Sequence, residues 1–145
     1  MILGLSANSC KTRLLCLVAT IGLAGCVPKD IARATCSNTL LSVHDEWTCT
    51  VKADVVGRSS SIDFDTESRN KVAQVSIALS VTKGALRVRY NDLSGTQQIV
   101  VTPSEPVSFE MKTKMHPERR SFTMFFEPVS GNVEGLAGTV KYATP

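Results

Sequence analysis

The stretch that decides the fold is Val72 to Tyr90, VAQVSIALSVTKGALRVRY. Within it, from residue 72 to residue 82, an apolar side chain occupies every second position: Ala73, Val75, Ile77, Leu79 and Val81. A period of two predicts a β-strand that buries one face. Lys83-Gly84 then predicts a two-residue hairpin turn, because glycine readily adopts the positive φ that such a turn needs. The next strand would bury Leu86, Val88 and Tyr90 and expose Arg87 and Arg89.

Shorter segments with strand character lie on both sides of this stretch. They are Trp47–Val55, SIDFD (61–65), TQQIVVT (96–102), VSFEM (107–111), SFTMFF (121–126) and GTVKYA (138–143). Turn-forming residues such as NDLSG at 91–95 separate them, and no convincing helix is present. About seven to eight short strands are typical of an all-β fold. We therefore predict one antiparallel β-sandwich or small barrel over residues 46–145.

The N-terminal region has a different character. Lys11 and Arg13 precede the apolar run LLCLVATIGLAG (14–25), which stops at Cys26. A run of this length is too short to cross the hydrocarbon core of a bilayer, which needs about 20 residues. A positive segment followed by a short apolar run indicates a secretory signal peptide, here residues 1–25.

The end of that run, Leu23-Ala24-Gly25-Cys26, resembles the lipobox of bacterial lipoproteins. The resemblance implies cleavage before Cys26, a diacylglycerol thioether on its sulfur and an acyl group such as palmitate on the new amino terminus. Two or more acyl chains anchor a protein stably to a membrane. Val27 stands where Asp commonly signals inner-membrane retention, so the resemblance favours the outer membrane of a Gram-negative cell envelope. The alternative is an ordinary secreted protein with a chance cysteine.

Removal of the signal peptide would change the charge and the cysteine count. The mature chain would carry a net charge of about +1, so composition gives no indication of nucleic-acid binding. Residues 26–45 read as the lipidated cysteine and an irregular tether. Cys36 and Cys49 remain as a pair in an oxidising compartment, so we predict a disulfide between them. It would fasten the tether to the first strand.

No motif predicts an enzyme or a cofactor. The two histidines, His44 and His116, are not part of a recognisable catalytic pattern, and the nucleophile elbow GxSxG is absent. Asp63, Asp65 and Glu67 are a weak metal candidate, since residues two apart on a strand share a face and carboxylates suit Ca²⁺. The alternative is that this stretch is a solvated strand face.

Basic residues are the more suggestive feature of the mature chain. Arginine recognises carboxylates and phosphates through parallel hydrogen bonds. Six basic side chains are therefore candidates for binding an anionic envelope partner: Arg87, Arg89, Lys112, Lys114, Arg119 and Arg120. Trp47 and Tyr90 fall in phase with apolar neighbours and are predicted in the core. Phe125 is out of phase, so it would face outward or lie in a second layer.

These patterns favour a non-catalytic lipoprotein that is held to the membrane by Cys26 and that binds or supports an envelope protein or another anionic envelope component. The alternative function is that of a periplasmic inhibitor of a lysozyme or a protease. The lysozyme inhibitors of this kind present a loop with Ser-Gly-Ala-Arg-Tyr, whereas this chain has GLAGTVKY at 135–142. That difference lowers the weight of the inhibitor hypothesis.

Overall fold

The computed structural model describes residues 29–39 and 45–144. Nine strands lie in this part of the chain: β1 (Arg33–Asn38), β2 (Asp45–Val56), β3 (Ser60–Asp65), β4 (Val72–Ser80), β5 (Leu86–Asp92), β6 (Gly95–Val101), β7 (Val107–Lys114), β8 (Ser121–Pro128) and β9 (Val133–Thr144). The described residues contain no helix, and so none that is long and apolar enough to cross a membrane. The predicted signal peptide, Cys26 and His44 lie outside the described residues.

The strands form two antiparallel sheets. Sheet A has the order β1-β2-β9-β4-β7, and sheet B has the order β3-β8-β5-β6. From β2 onward every connection except β5–β6 passes from one sheet to the other. This is the double-sheet arrangement of a jelly roll, with β1 added at one edge. The prediction of an all-β antiparallel sandwich is confirmed.

The core lies between the sheets and takes alternate residues from both. Its largest fully buried side chains include Ile77 of sheet A and Phe64, Phe126 and Leu86 of sheet B. Four aromatic rings close one end of the core, where the Phe64 ring centroid lies 5.0 Å from that of Phe122 and 6.0 Å from that of Tyr142, and the Tyr142 centroid lies 6.3 Å from that of Trp47. Tyr142 also donates a hydrogen bond from its hydroxyl to the Asp65 carbonyl, 2.6 Å away. One side chain therefore ties sheet A to sheet B.

The predicted hairpin at Lys83-Gly84 is wrong. β4 belongs to sheet A and β5 to sheet B, so the chain crosses between sheets at this point. Gly84 does have a positive φ of 84°, and a Cβ there would lie 2.8 Å from the Asn132 carbonyl oxygen. The backbone N–H of Thr82 and that of Lys83 both donate to the Glu134 carbonyl. A hairpin turn and a connection between the two sheets can both use a glycine with positive φ. Both also give the same alternation of apolar and polar residues, because β4 and β5 each bury one face in the same core.

The predicted irregular tether contains strand β1. It pairs with β2 in a register that sets Cys36 opposite Cys49, and the two sulfurs are bonded at 2.01 Å. The predicted disulfide is confirmed. β1 escaped prediction because it is an edge strand whose side chains are mostly exposed, so it lacks the apolar alternation that identifies a half-buried strand.

Candidate binding surface

The outward side chains of β5, β6 and β8 form a continuous surface on sheet B. Arg89 lies between Phe125 of β8 and Gln98 of β6, and Arg87 lies between Glu127 of β8 and Val100 of β6. We call these six residues the Phe125 face. The alternation of β5 dictates this exposure, because Leu86 and Val88 on the same strand are fully buried.

Phe125 is the central apolar group of this face. Its neighbours Met124 and Phe126 are fully buried, whereas the Phe125 side chain is 40% exposed. The sequence left two positions open for it, and the structure places it on the outside of the sandwich. Val100, two strands away, is 42% exposed. Two exposed large apolar side chains on one sheet face indicate an interaction surface more strongly than a single one does.

Arg89 lies against the ring of Phe125. Its guanidinium carbon is 5.4 Å from the ring centroid, which is within the range of a cation–π interaction. The Glu127 carboxylate lies 3.6 Å from Nη1 of Arg87 and 3.9 Å from Nε of Arg89. These contacts fix the direction of both guanidinium groups. Because the ion pairs are partly exposed, each is worth about 1 kcal/mol or less, so a partner's carboxylate can compete with Glu127.

A small depression borders the Phe125 face on the side of β3. Its volume is about 240 Å³, and its lining includes Ser60, Ser61, Arg89 and Phe125. That is less than the roughly 300–1,000 Å³ of typical small-molecule sites, so it suits one inserted side chain. The Ser60 hydroxyl oxygen is buried and has no hydrogen-bond partner within the described residues. Ser60 pairs with the buried Phe126 and is in phase with Phe64, so this hydroxyl faces the core and not the depression.

The six predicted anion-binding residues do not form one surface. Arg87 and Arg89 are on the Phe125 face, whereas Lys112 and Lys114 project from β7 in sheet A. The remaining two, Arg119 and Arg120, lie in the β7–β8 connection. The sequence gives the phase of each strand but not its sheet, so it could not show how these candidates are divided over the molecule.

Arg120 has a structural role in its connection. Its Nη1 donates to the Glu67 carbonyl at 3.2 Å, and its backbone N–H donates to the His116 carbonyl. The Nδ1 atom of His116 accepts hydrogen bonds from the backbone N–H groups of Glu118 and Arg119. These bonds hold the loops at one end of the sandwich in place and engage the side chains of Arg120 and His116, whereas Arg119 takes part through its backbone N–H.

The predicted acidic row is not assembled. Asp63 and Asp65 point outward from β3, but the strand ends at Asp65 and Glu67 belongs to the next loop. Asp63 accepts a hydrogen bond from the Thr123 hydroxyl. The backbone N–H of Glu67 donates to Asp45 Oδ2 at 3.1 Å. Across residues 29–39 and 45–144, no group of three or more His, Cys, Asp or Glu side chains is placed to hold a metal ion.

The two aromatic residues predicted in the core are packed against it. Trp47 stacks on Tyr142 and donates its indole N–H to Asp45 Oδ1 at 2.7 Å. Tyr90 stacks on Phe109 at 5.0 Å between ring centroids, and burial raises the pKa of its hydroxyl. Neither ring forms an exposed platform.

Sequence reasoning missed Val100 as a member of the Phe125 face. It lies in the run Ile99-Val100-Val101, where three consecutive apolar residues hide the strand's phase. The register of β6 on β5, which sets Val100 opposite Arg87, resolves it. No signal in a single sequence supplies that register.

No family model matches this chain, and no curated protein matches it. Among solved structures it is similar to the PRD1 vertex protein P5, with a TM-score of 0.45 and 8% identity over 67% of this chain and 95% of that one. It is also similar to a protein of the Bacillus endospore appendages, which form disulfide-linked pili. The TM-score is 0.43 and the sequence identity 17%, over 82% of this chain and 95% of that one. The comparison with CapF gives a TM-score of 0.43 and 8% sequence identity, and it covers 81% of this chain but only 29% of CapF. TM-scores below 0.5 assign neither a family nor a function.

Proposed function

We propose that this chain is a lipid-anchored protein of the bacterial cell envelope, that it is not a catalyst, and that its sandwich binds another envelope protein through the Phe125 face. One observation carries the proposal, namely an exposed phenylalanine with an arginine lying against its ring on the outer face of sheet B.

The composition of the Phe125 face suits a protein partner. Aromatic residues and arginine are enriched at the centres of protein interfaces and dominate their binding energy. Arg89 and Phe125 are already held in contact, so little side-chain freedom is lost on binding. The two guanidinium groups favour a partner that presents carboxylates beside an apolar group. Such pairing also raises the association rate at low ionic strength.

The anchor would hold the domain by one end. Asp30 lies four residues after Cys26, a distance of at most about 14 Å when extended. It accepts a hydrogen bond from the Gly57 backbone N–H at 2.9 Å, and its carboxylate lies 3.2 Å from Nε of Arg58. With a lipid on Cys26, the end of the sandwich that carries the β2–β3 connection would therefore lie next to the membrane, leaving both sheet faces accessible.

A crosslinking pull-down tests the binding proposal. Residues 27–145 contain all nine strands and the buried core, so they are immobilised by their N-terminus and exposed to solubilised envelope. We expect one protein to be captured in stoichiometric amount. Phe125→Ala and the pair Arg87→Glu/Arg89→Glu should each remove it. The pair Lys71→Glu/Arg119→Glu makes the same charge change in loops away from the Phe125 face and should retain it.

The outcomes separate the possible functions. A captured lysozyme or protease that loses activity at one-to-one stoichiometry would favour the inhibitor alternative over an accessory role. Capture that is equal for wild type, Phe125→Ala and the arginine pair would contradict the Phe125 face as the binding site.

The anchor is tested separately by metabolic labelling. The full chain is produced in a Gram-negative host that is fed labelled palmitate. We expect label in the wild type and in Cys10→Ser/Cys16→Ser, and none in Cys26→Ser. An unlabelled wild-type protein found free in the periplasm would support the secreted alternative instead.

A further inference from the structure

The opposite face of the sandwich has a different shape. A depression of about 590 Å³ lies on the outer side of sheet A, lined by side chains that include Glu46, Thr48, Gln74, Glu110, Lys112 and Lys141. A second depression of about 550 Å³ lies next to it on the same strands, where Thr50, Ala78, Ser108 and Thr139 take the adjacent positions. We call the two together the sheet A groove. On β2 the lining of the two depressions extends from Glu46 to Lys52, about 20 Å at the usual rise per residue.

Polar groups in this groove have bonding capacity to spare. The strand register sets Lys141 between Thr48 and Ser76, with Glu110 next in the row. Within the described residues the side chains of Thr48, Ser76 and Thr139 have no hydrogen-bond partner. Donors and acceptors that are free and lie side by side favour a ligand with many hydroxyl groups, since each sugar hydroxyl both donates and accepts.

Charged side chains that form no ion pair also lie on this face. In the described part of the chain four ion pairs are formed, and none of them involves Lys141, Lys112 or Lys52. A neighbouring depression on the same face adds Lys29 and Arg33, against Asp54. Cations therefore exceed anions on this face: Lys29, Arg33, Lys52, Lys112 and Lys141 against Glu46, Asp54 and Glu110. The electrostatic balance favours an anionic ligand.

A protein partner is disfavoured on this face. The exposed large apolar side chains of the described residues are Leu93, Val100, Phe125 and Val129, and none of them is on a strand of sheet A. Without an aromatic or aliphatic anchor the groove lacks the centre that protein interfaces need.

We propose that the sheet A groove binds an extended anionic oligosaccharide, whose carboxylate or phosphate groups contact Lys112 and Lys141. Its hydroxyl groups contact Gln74, Ser76, Thr48 and the carboxylates of Glu46 and Glu110. This site is separate from the Phe125 face and does not depend on the function proposed for that face.

Amide NMR titration of isotope-labelled residues 27–145 tests the proposal. The probes are hexagalacturonate for the carboxylate, pentamannosyl phosphate for the phosphate and maltohexaose as the neutral control. We expect at least one charged probe to shift the amide signals of β9, β4 and β7 around Lys141, Ser76 and Lys112, with saturation at millimolar concentration or below. Maltohexaose should bind at least about tenfold more weakly.

Variants identify the groove as the site. Lys112→Gln/Lys141→Gln should weaken the charged probe at least about tenfold, and Ala78→Trp should block it by filling the groove. Lys71→Gln/Arg119→Gln removes as much charge from nearby loops and should leave affinity within about threefold. The proposal is overturned if neither charged probe shifts these signals at millimolar concentration, if the shifts fall on β5 and β8, or if both double variants weaken binding equally. Capture of the protein partner by the Phe125 face would survive any of these results.

Discussion

The two outer faces of this sandwich use the same strand alternation to present opposite chemistry. On sheet B the outward residues include Phe125, Val100, Arg87 and Arg89, whereas on sheet A they are mostly serine, threonine, alanine and lysine. Burial of alternate residues fixes where each outward side chain points but leaves its identity free. The Phe125 face therefore has the composition of a protein interface, and the sheet A groove has that of a polar ligand site.

The sharpest test of this contrast uses two neighbouring phenylalanines. Phe126→Ala removes a fully buried ring from between the sheets and should lower the free energy of unfolding by about 3–5 kcal/mol. Phe125→Ala changes only the outer face and should lower it by about 1 kcal/mol or less. Urea denaturation of both variants measures the difference. Equal losses would mean that Phe125 is part of the folded core and that its exposure does not indicate a binding role.

The disulfide provides the next largest effect, and we expect it to act on one face alone. Cys36→Ala/Cys49→Ala opens a link between residues 13 apart in sequence, which the chain-entropy model values at about 3 kcal/mol. The link fastens edge strand β1 to β2, so hydrogen exchange should accelerate mainly in these strands of sheet A. Amides of β5 and β8 should lose only the protection that follows from lower global stability. A selective loss of protection in β8 would contradict the separation of the two faces.

Strands and their buried faces were predictable from the sequence because period-two alternation is a local property. The strands predicted over residues 72–82 and 86–90 correspond to β4 and β5, and the outward direction of Arg87 and Arg89 was predicted in the same way. The sheet to which each strand belongs is not local. The predicted hairpin at Lys83-Gly84 failed for that reason, because both a hairpin and a crossing between sheets use the positive φ of Gly84.

The candidate sites were less predictable because they depend on pairing across strands. The out-of-phase position of Phe125 in β8 signalled an exposed ring, but the contact with Arg89 needs the register of β5 on β8. The acidic row at Asp63, Asp65 and Glu67 looked continuous, yet β3 ends before Glu67. The inference that residues two apart lie on the same face holds only within a strand, so it no longer applies beyond the residue where the strand ends.

A smaller effect concerns the bond that joins the two sheets. Tyr142 is an inward residue of sheet A, and its hydroxyl donates to the Asp65 carbonyl of sheet B. Tyr142→Phe keeps the ring and should cost about 0.5–1.5 kcal/mol at neutral pH through the lost hydrogen bond. Urea denaturation measures this loss.

The same residue should make stability fall in alkali. Burial, followed by the nearby Asp65 and Asp45 carboxylates, raises the pKa of Tyr142 far above its usual range. The folded state therefore keeps the hydroxyl proton that the unfolded chain releases near pH 10. The contribution of Tyr142 to the free energy of unfolding is thus complete below about pH 10 and declines as the pH rises further. Unfolding midpoints at pH 9 and 11 should differ less in Tyr142→Phe than in wild type. The less buried Tyr90, tested as Tyr90→Phe, should change that difference less, and equal changes would contradict a special role for Tyr142.

The smallest expected effect on stability gives the most direct view of the Phe125 face. Glu127 lies within 3.9 Å of both arginines, so it either fixes them for a partner or neutralises them as a surface ion pair. Glu127→Gln should change the free energy of unfolding by less than about 1 kcal/mol, because such pairs are partly exposed. It should also increase retention of the captured partner in the pull-down, since the like charge that competes with the partner's carboxylate is gone. Reduced retention at unchanged stability would show instead that Glu127 contacts the partner directly, and the expected partner would then carry a basic group at that position.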